Sequence, residues 1–175
     1  QDFHTGEPID MLRSRRSEVT EPYFASIPRE ERLRVRYLIS DMYNPYLQYV
    51  NRYFPMATPV VDSFHVIQWL IRELDNFIRA LLKRFKERDR LRQGQLSMDL
   101  HREVRLPLSD EVYLLQNYRW ILLKNRKHIR YYPEPRFDRH FRCLMNTYDY
   151  ERRFFDLNPH MKELRDFKEM YIDFN

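Results

Sequence analysis

Leu33-Arg-Val35-Arg-Tyr37-Leu-Ile39-Ser-Asp41, together with Thr58-Pro-Val60-Val-Asp62-Ser-Phe-His65, is the stretch whose reading decides the fold. Leu33, Val35, Tyr37 and Ile39 alternate with Arg34, Arg36 and Ser40, the period-two pattern of a strand that ends at Asp41. Asn44-Pro45 reads as a helix start, with Asn as N-cap and Pro at the first helical position. Leu47, Val50 and Phe54 then lie on or near one helical face until Pro55 stops it, and Thr58 to Val61 reads as a short strand of the buried type. A strand, a helix and a strand in this order imply parallel pairing with a crossover helix. In an open α/β sheet the carboxyl ends of neighbouring strands face one crevice, where ligands bind. Asp41 and Asp62 stand at those two ends, and carboxylate oxygens suit a divalent cation.

Upstream, residues 2 to 13 read as a strand pair around a turn at Thr5-Gly6, followed by a basic cluster from Arg13 to Arg16. A weak helical pattern covers Thr20 to Ile27 with Pro22 near its start, and Pro28 to Arg32 reads as a further helical turn. Downstream of Asp62 the pattern changes. Ile67, Leu70, Ile71, Leu74, Phe77, Ile78, Leu81, Leu82 and Phe85 recur at three-to-four spacing, which predicts a long amphipathic helix from about Ser63 to about Arg92, broken by Gly94. Ser109 with Asp110 and Glu111 predicts another helix start, continuing through Tyr118 to Lys127. Helical patterns resume from about Phe137 to Tyr148 and again after Asn158-Pro159. The expected organisation is an α/β region over residues 1–62 and an all-helical region over 63–175.

Composition narrows the function classes. The chain has 175 residues, enough for one domain or one domain with an appendage. Aromatic residues at 15% and hydrophobic residues at 43% support a packed core rather than disorder. No apolar run approaches the roughly 18 residues that a membrane helix needs. The start has neither the basic nor the apolar segment of a signal peptide and lacks an initiator Met, so we expect an internal boundary of a longer protein. A single cysteine, Cys143, excludes an internal disulfide and a cysteine-based zinc site, and a reducing cytoplasm is the expected setting. Net charge is +5, carried mostly by Arg, whose planar fork suits phosphate.

The two aspartate segments, with Asn44-Pro45-Tyr46 after the first and Phe54-Pro55-x-Ala57 before the second, resemble the DDE transposases of bacterial insertion sequences. More narrowly, the chain is similar to the group in which a D-x-F-H-V motif, here Asp62 to Val66, leads into a long helical insertion. The resemblance implies an incomplete ribonuclease-H-like α/β segment followed by that insertion, a central piece of an enzyme that cuts DNA at transposon ends and joins them to target DNA. It implies Mg²⁺ or Mn²⁺ in the intact enzyme, held as a two-metal site, with none bound to this piece. Two such ions about 4 Å apart activate the attacking oxygen and stabilise the leaving one.

By that resemblance Asp41 matches the second of three acidic ligands and is the catalytic and metal-binding candidate. Asp62 and His65 form a D-x-x-H motif that would buttress the metal site or bind DNA beside it. The bland alternatives are a turn aspartate at Asp41, a helix cap at Asp62 and a packed imidazole at His65. Asn44 fills the cap role for its helix, which leaves Asp41 without an obvious capping duty. The family's first Asp has no match, since Asp2 and Asp10 fall in the wrong strands. Its Glu, expected in an E-G-x-N context, is absent, and Glu163 and Glu169 lie in ordinary amphipathic helix. The piece is therefore expected to be inactive by itself.

Arg79, Lys83, Lys86 and Arg90 share one side of the long helix, a line of cations that can follow a phosphate backbone, although Glu87 and Asp89 interrupt it. Arg119, Lys124, Arg126 and Lys127 form a second candidate DNA-binding group in an R-x-x-L-L-K segment like that of the family. Trp120 in this segment is read as core rather than as a base-stacking platform, and the remaining histidines show no metal-ligand spacing. DNA is the expected partner, a homo-oligomer a possible one, and no membrane contact is expected. The competing reading is a non-catalytic helical module for nucleic-acid binding or oligomerisation, in which Asp41 and Asp62 only cap.

Overall fold

The computed structural model describes residues 5–8 and 10–174. Its elements are α1 (Ser17–Ser26), α2 (Arg29–Arg34), β1 (Tyr37–Ser40), α3 (Asn44–Tyr53), β2 (Thr58–Val61), α4 (Ser63–Asp99), α5 (Asp110–Asn117), α6 (Trp120–Leu123), a 3-10 turn (Arg126–His128), β3 (Arg136–Asp138), β4 (Cys143–Met145), α7 (Thr147–Asp156) and α8 (His160–Phe174). Among the described residues the fold is mostly helical, with two small sheets of two strands each. The chain divides into two compact units, Gln1–Val66 and Ile67–Asn175.

In the first unit β1 and β2 pair in parallel, from Tyr37↔Thr58 to Ser40↔Val61, with α3 as the crossover. The ladder extends past both ends, where Thr58 N donates to Arg36 O and Asp62 N to Ser40 O, each at 2.8 Å. The core is aromatic. Phe24 of α1 meets Tyr49 and Phe54 edge to face, with centroids 5.3 and 5.4 Å away. Such contacts add about 0.5–1.5 kcal/mol each beyond area burial. The buried tyrosines keep their hydroxyls satisfied: Tyr49 shares a 2.7 Å hydrogen bond with Thr20, and Tyr53 donates to Glu21 at 3.2 Å. Arg32 ties the α1–α2 junction to the end of α3 by donating to the carbonyls of Ile27 and Tyr53.

Several local expectations are corrected in this unit. The described residues between 5 and 13 form no strand, and the rest of that proposed hairpin, residues 2–4 and Ile9, lies outside the described residues. Pro22 sits inside α1 rather than near its start, because the helix begins earlier, at Ser17. The strand ending at Asp41 is only four residues long, since Leu33 and Arg34 continue the helical turn of α2. Its packed face is the opposite one. Leu38 packs on the core, while Tyr37 and Ile39 are 65% and 64% exposed. β2 is exposed along its length rather than buried. The N-cap position of α3 is Tyr43, with no side-chain cap, and Asn44-Pro45 lies one residue further into the helix than its spacing predicts.

The second unit has an aliphatic core. Leu74, Ile78 and Leu81 of α4 meet Leu114, Leu115, Ile121, Leu122, Phe154 and Met161, with Trp120 and Leu123 packed at the margin. Trp120 is thus core, as its context indicates. Gly94 does not break α4. A side chain there would meet nothing within 4 Å, and one glycine costs about 1 kcal/mol, which a helix of 37 residues absorbs. The helix ends after Asp99, where His101 turns left-handed at φ 48° and Arg102 N donates back to Ser97 O. The single helix expected from Ser109 to Lys127 is two helices, α5 and α6, and the 3-10 turn.

The expectation of an all-helical second region is also corrected. Residues 136–145 form an antiparallel hairpin, with Phe137↔Leu144 at its centre. The Asp138 carboxylate makes the turn by accepting from the amides of His140 at 2.7 Å and Phe141 at 2.9 Å. Helix starts only at Thr147, where Asn146 and Asp149 form a reciprocal capping box. At α8, Asn158 accepts from His160 N at 2.9 Å, as an N-cap side chain does. The buried Lys168 locks α8 to α6 by donating to the carbonyls of Leu122 and Lys124. No helix among the described residues is long and apolar enough to cross a membrane.

Candidate functional site

Parallel pairing decides the geometry of the site. Because Ser40 and Val61 are register partners, Asp41 and Asp62 leave the same end of adjacent strands. Asp41 follows β1, and its Oδ1 accepts from Tyr43 N at 3.0 Å. Asp62 follows β2, and its Oδ1 accepts from Phe64 N at 2.9 Å in the first turn of α4. Both carboxylates therefore have a local backbone duty. This removes the argument that Asn44 leaves Asp41 without one.

His65 lies one helical turn beyond Asp62, with Nε2 4.0 Å from Asp62 Oδ2. At that distance the two are at the outer limit of an ion pair, and both side chains are more than two-fifths exposed. Asp41 and His65 line one open cavity of about 390 Å³ with Leu38, Ser40, Tyr46 and Tyr49. The structure thus brings the three residues to one strand end. Its walls are aromatic on the α3 side, a feature that the Asx-centred reading of the sequence did not include although Tyr46 and Tyr49 recur at helical spacing.

The donor chemistry suits a hard divalent cation on its carboxylate side, since Mg²⁺ and Mn²⁺ favour oxygen ligands. The set is short. Among the described residues no group of three acidic, His or Cys side chains is placed to hold a metal ion. Asp41 offers one arm of such a site, and its second oxygen faces no donor among the described hydrogen bonds.

The cations proposed for DNA divide into two sets. Arg79 binds Asp75 at 2.7 Å, Arg90 binds Glu87 at 2.8 Å, Arg119 binds Asp75 at 3.4 Å and Lys127 binds Asp173 at 2.6 Å. Lys124 sits over the Trp120 ring at 5.8 Å. Lys83, Lys86 and Arg126 are exposed without an ion pair among the described residues, although Arg126 N donates to Glu169. The helical stripe is therefore half neutralised by its own carboxylates.

One aspartate was missed altogether. Asp138 is 7% exposed and accepts from Tyr150 at 2.6 Å and Tyr113 at 3.2 Å besides the two turn amides. Burial raises its pKa, but these four donors outweigh burial and hold it below the usual carboxylate value. Its tyrosine partners lie 25 and 12 residues away in sequence, so no local pattern announces this hub, and it becomes visible only once the hairpin is known.

Comparison with known proteins adds one finding. A family model described as a transposase, DDE_Tnp_ISL3, matches residues 1–174. No curated protein and no solved structure matches the chain significantly.

Proposed function

This chain belongs to the transposase family DDE_Tnp_ISL3, and from that membership we propose that it serves metal-dependent DNA cleavage and strand transfer at transposon ends, with Asp41 as a metal ligand. The observation that carries the reading is the shared strand end of Asp41 and Asp62 in a parallel pair. A strand–helix–strand unit with carboxylates at its carboxyl edge also supports a ribonuclease-H-like assignment for the first region. When bound, Mg²⁺ or Mn²⁺ would supply the charge that activates an attacking oxygen and steadies the leaving one. Asp41 would present a carboxylate oxygen to that cation, and its backbone bond to Tyr43 fixes the direction in which it points. Asp62 and His65 act as supporting residues that hold the start of α4 beside it. Since this stretch carries one acidic arm only, we expect it to leave DNA uncut when assayed alone.

The test is Mn²⁺ titration of the chain, followed by paramagnetic broadening of backbone amide signals. A single acidic arm retains no ion tightly, so at millimolar Mn²⁺ we expect weak, fast-exchange broadening centred on residues 40–43 and 62–65 that Asp41→Asn abolishes. Broadening that is absent there, or identical in Asp41→Asn, would overturn the assignment. The side-chain bonds to Tyr43 N and Phe64 N favour a second reading, in which both aspartates only cap and the chain is a helical DNA-binding or self-associating module. That reading expects no cation effect at either residue and a loss of helix on Asp62→Ala.

A further inference from the structure

We propose that the β3–β4 hairpin is a DNA-contacting element, with Arg139 and Arg142 gripping backbone phosphates and Phe137 and Leu144 lying against the sugar edges. The proposal rests on the transposase reading for the identity of the polyanion as DNA, and on the hairpin alone for its location.

Charge is the first observation. Residues 136–145 contain three arginines and one acid, Asp138. Asp138 is buried and fully engaged by four donors, so it does not neutralise the surface. Arg136, Arg139 and Arg142 are exposed, and none has an ion-pair partner among the described residues. Of the acids beside the hairpin, Asp110 binds His140 at 2.9 Å, and Glu134 lines a groove with Arg136 with no ion pair between them among the described residues. This contrasts with α4 and the segment after it, where four of the candidate cations are tied to local carboxylates. Unpaired guanidinium groups can replace the counterions of a phosphate backbone without first breaking an ion pair.

Rigidity is the second. The turn is held from inside by Asp138, and His140 stacks on Tyr113 at 4.0 Å between centroids. Phe141 carries Arg153 over its ring at 4.7 Å, which adds a third cation beside Arg139 and Arg142 at the turn. Arg142 occupies a left-handed position at φ 53°. An arginine held in that conformation projects from a fixed backbone, so less freedom is lost on binding.

Surface chemistry is the third. Phe137 and Leu144 are register partners on the outer face of the hairpin, and both are 64% exposed. An apolar pair flanked by free arginines suits the sugar and base edges between two lines of phosphates.

The experiment uses the chain as it stands with a fluorescein-labelled 30-base-pair duplex, reading anisotropy across a salt series. Arg142→Gly suits the left-handed backbone, so the double variant Arg139→Gln/Arg142→Gly is expected to melt no lower than wild type. We expect it to bind about tenfold more weakly at low salt, with the slope of log affinity against log salt reduced by about two. Arg139→Lys/Arg142→Lys should keep the slope. A slope unchanged in the Gln/Gly variant but lowered in Lys83→Gln/Lys86→Gln would place DNA on α4 and overturn the hairpin proposal while leaving the transposase reading intact. Loss of salt-sensitive binding by the wild-type chain itself would also overturn it. So would Phe137→Ser/Leu144→Ser that halves the mass in light scattering yet leaves DNA affinity unchanged, since the face would then join two copies.

Discussion

Among the described residues three aspartates end a β-strand, and they divide by the number of donors they satisfy. Asp138, at the end of β3, is buried and accepts from two amides and two tyrosine hydroxyls. Asp41 and Asp62, at the ends of β1 and β2, are half-buried and each accepts from one amide. A carboxylate has about four acceptor positions. Asp138 has filled them and can hold nothing more, whereas Asp41 and Asp62 keep capacity for an added ligand. Position at a strand end therefore does not distinguish these residues; unused acceptor capacity does, and the metal-ligand proposal for Asp41 requires it.

The comparison breaks most readily at Asp138. Asp138→Asn should destabilise the second unit by about 2–3 kcal/mol, because the buried tyrosine and amide donors lose a charged acceptor. Urea unfolding checks it. The sign with pH follows from the shifts. The folded pKa of Asp138 lies below 3.8, so its contribution is present above that value and lost as pH falls through the folded pKa. Burial, followed by the bond to Asp138, pushes Tyr150 up to about 12, so that contribution is complete below 10 and lost as pH rises toward 12. Asp138→Asn should flatten the acid limb. An Asp138→Asn protein as stable as wild type, with an unchanged acid limb, would show that the hub is ornamental and that donor count is a poor guide.

A smaller effect is expected at Asp62. Asp62→Ala removes one cap from the start of α4 and should cost about 1 kcal/mol. Asp41→Ala removes one turn bond and should cost less, roughly 0.5 kcal/mol. If either substitution costs as much as Asp138→Asn, the residue is structural in the same sense and the case for spare ligand capacity fails. Thermal melts of the two variants, with and without millimolar Mn²⁺, separate these outcomes. Only the wild type and Asp62→Ala should gain stability from the cation.

What could be read from sequence follows the same physical divide. The β1–α3–β2 unit was legible because its signals are local: an apolar run, a proline near a helix start, and a second apolar run at crossover distance. The family was legible from the D-x-F-H-V segment. The packed face of β1 was not, because Tyr37 and Ile39 look like core residues by alternation, yet α1 and α3 present their aromatic face to Leu38 instead. The β3–β4 hairpin was not, because Phe137, Phe141, Leu144 and Tyr148 recur at three-to-four spacing as in a helix. What overrides that period is a buried carboxylate reaching two side chains outside the hairpin, Tyr113 and Tyr150, and no local pattern records it. The continuation of the long helix past Gly94 was not legible either, for the converse reason: a glycine stops a helix only where something else competes for the chain. The placement of Asp41 at a strand end was legible, but its bond to Tyr43 depends on where α3 begins, a boundary that sequence places only to within a residue or two.

The smallest effect belongs to the turn that Asp138 builds. Four residues, Arg139 to Arg142, close the hairpin, and the last takes φ 53°. A residue with a Cβ is held in that region at a cost of about 1 kcal/mol, which glycine avoids. Glycine in turn loses more freedom on folding, so Arg142→Gly should gain only about 0.5 kcal/mol. The sign matters more than the size. If the Asp138 bonds dictate the turn, the gain should vanish in an Asp138→Asn background, where the loop is free to relax. An equal gain in both backgrounds would mean that the turn is set by β3–β4 pairing alone, and the hub would lose its role in shaping the hairpin.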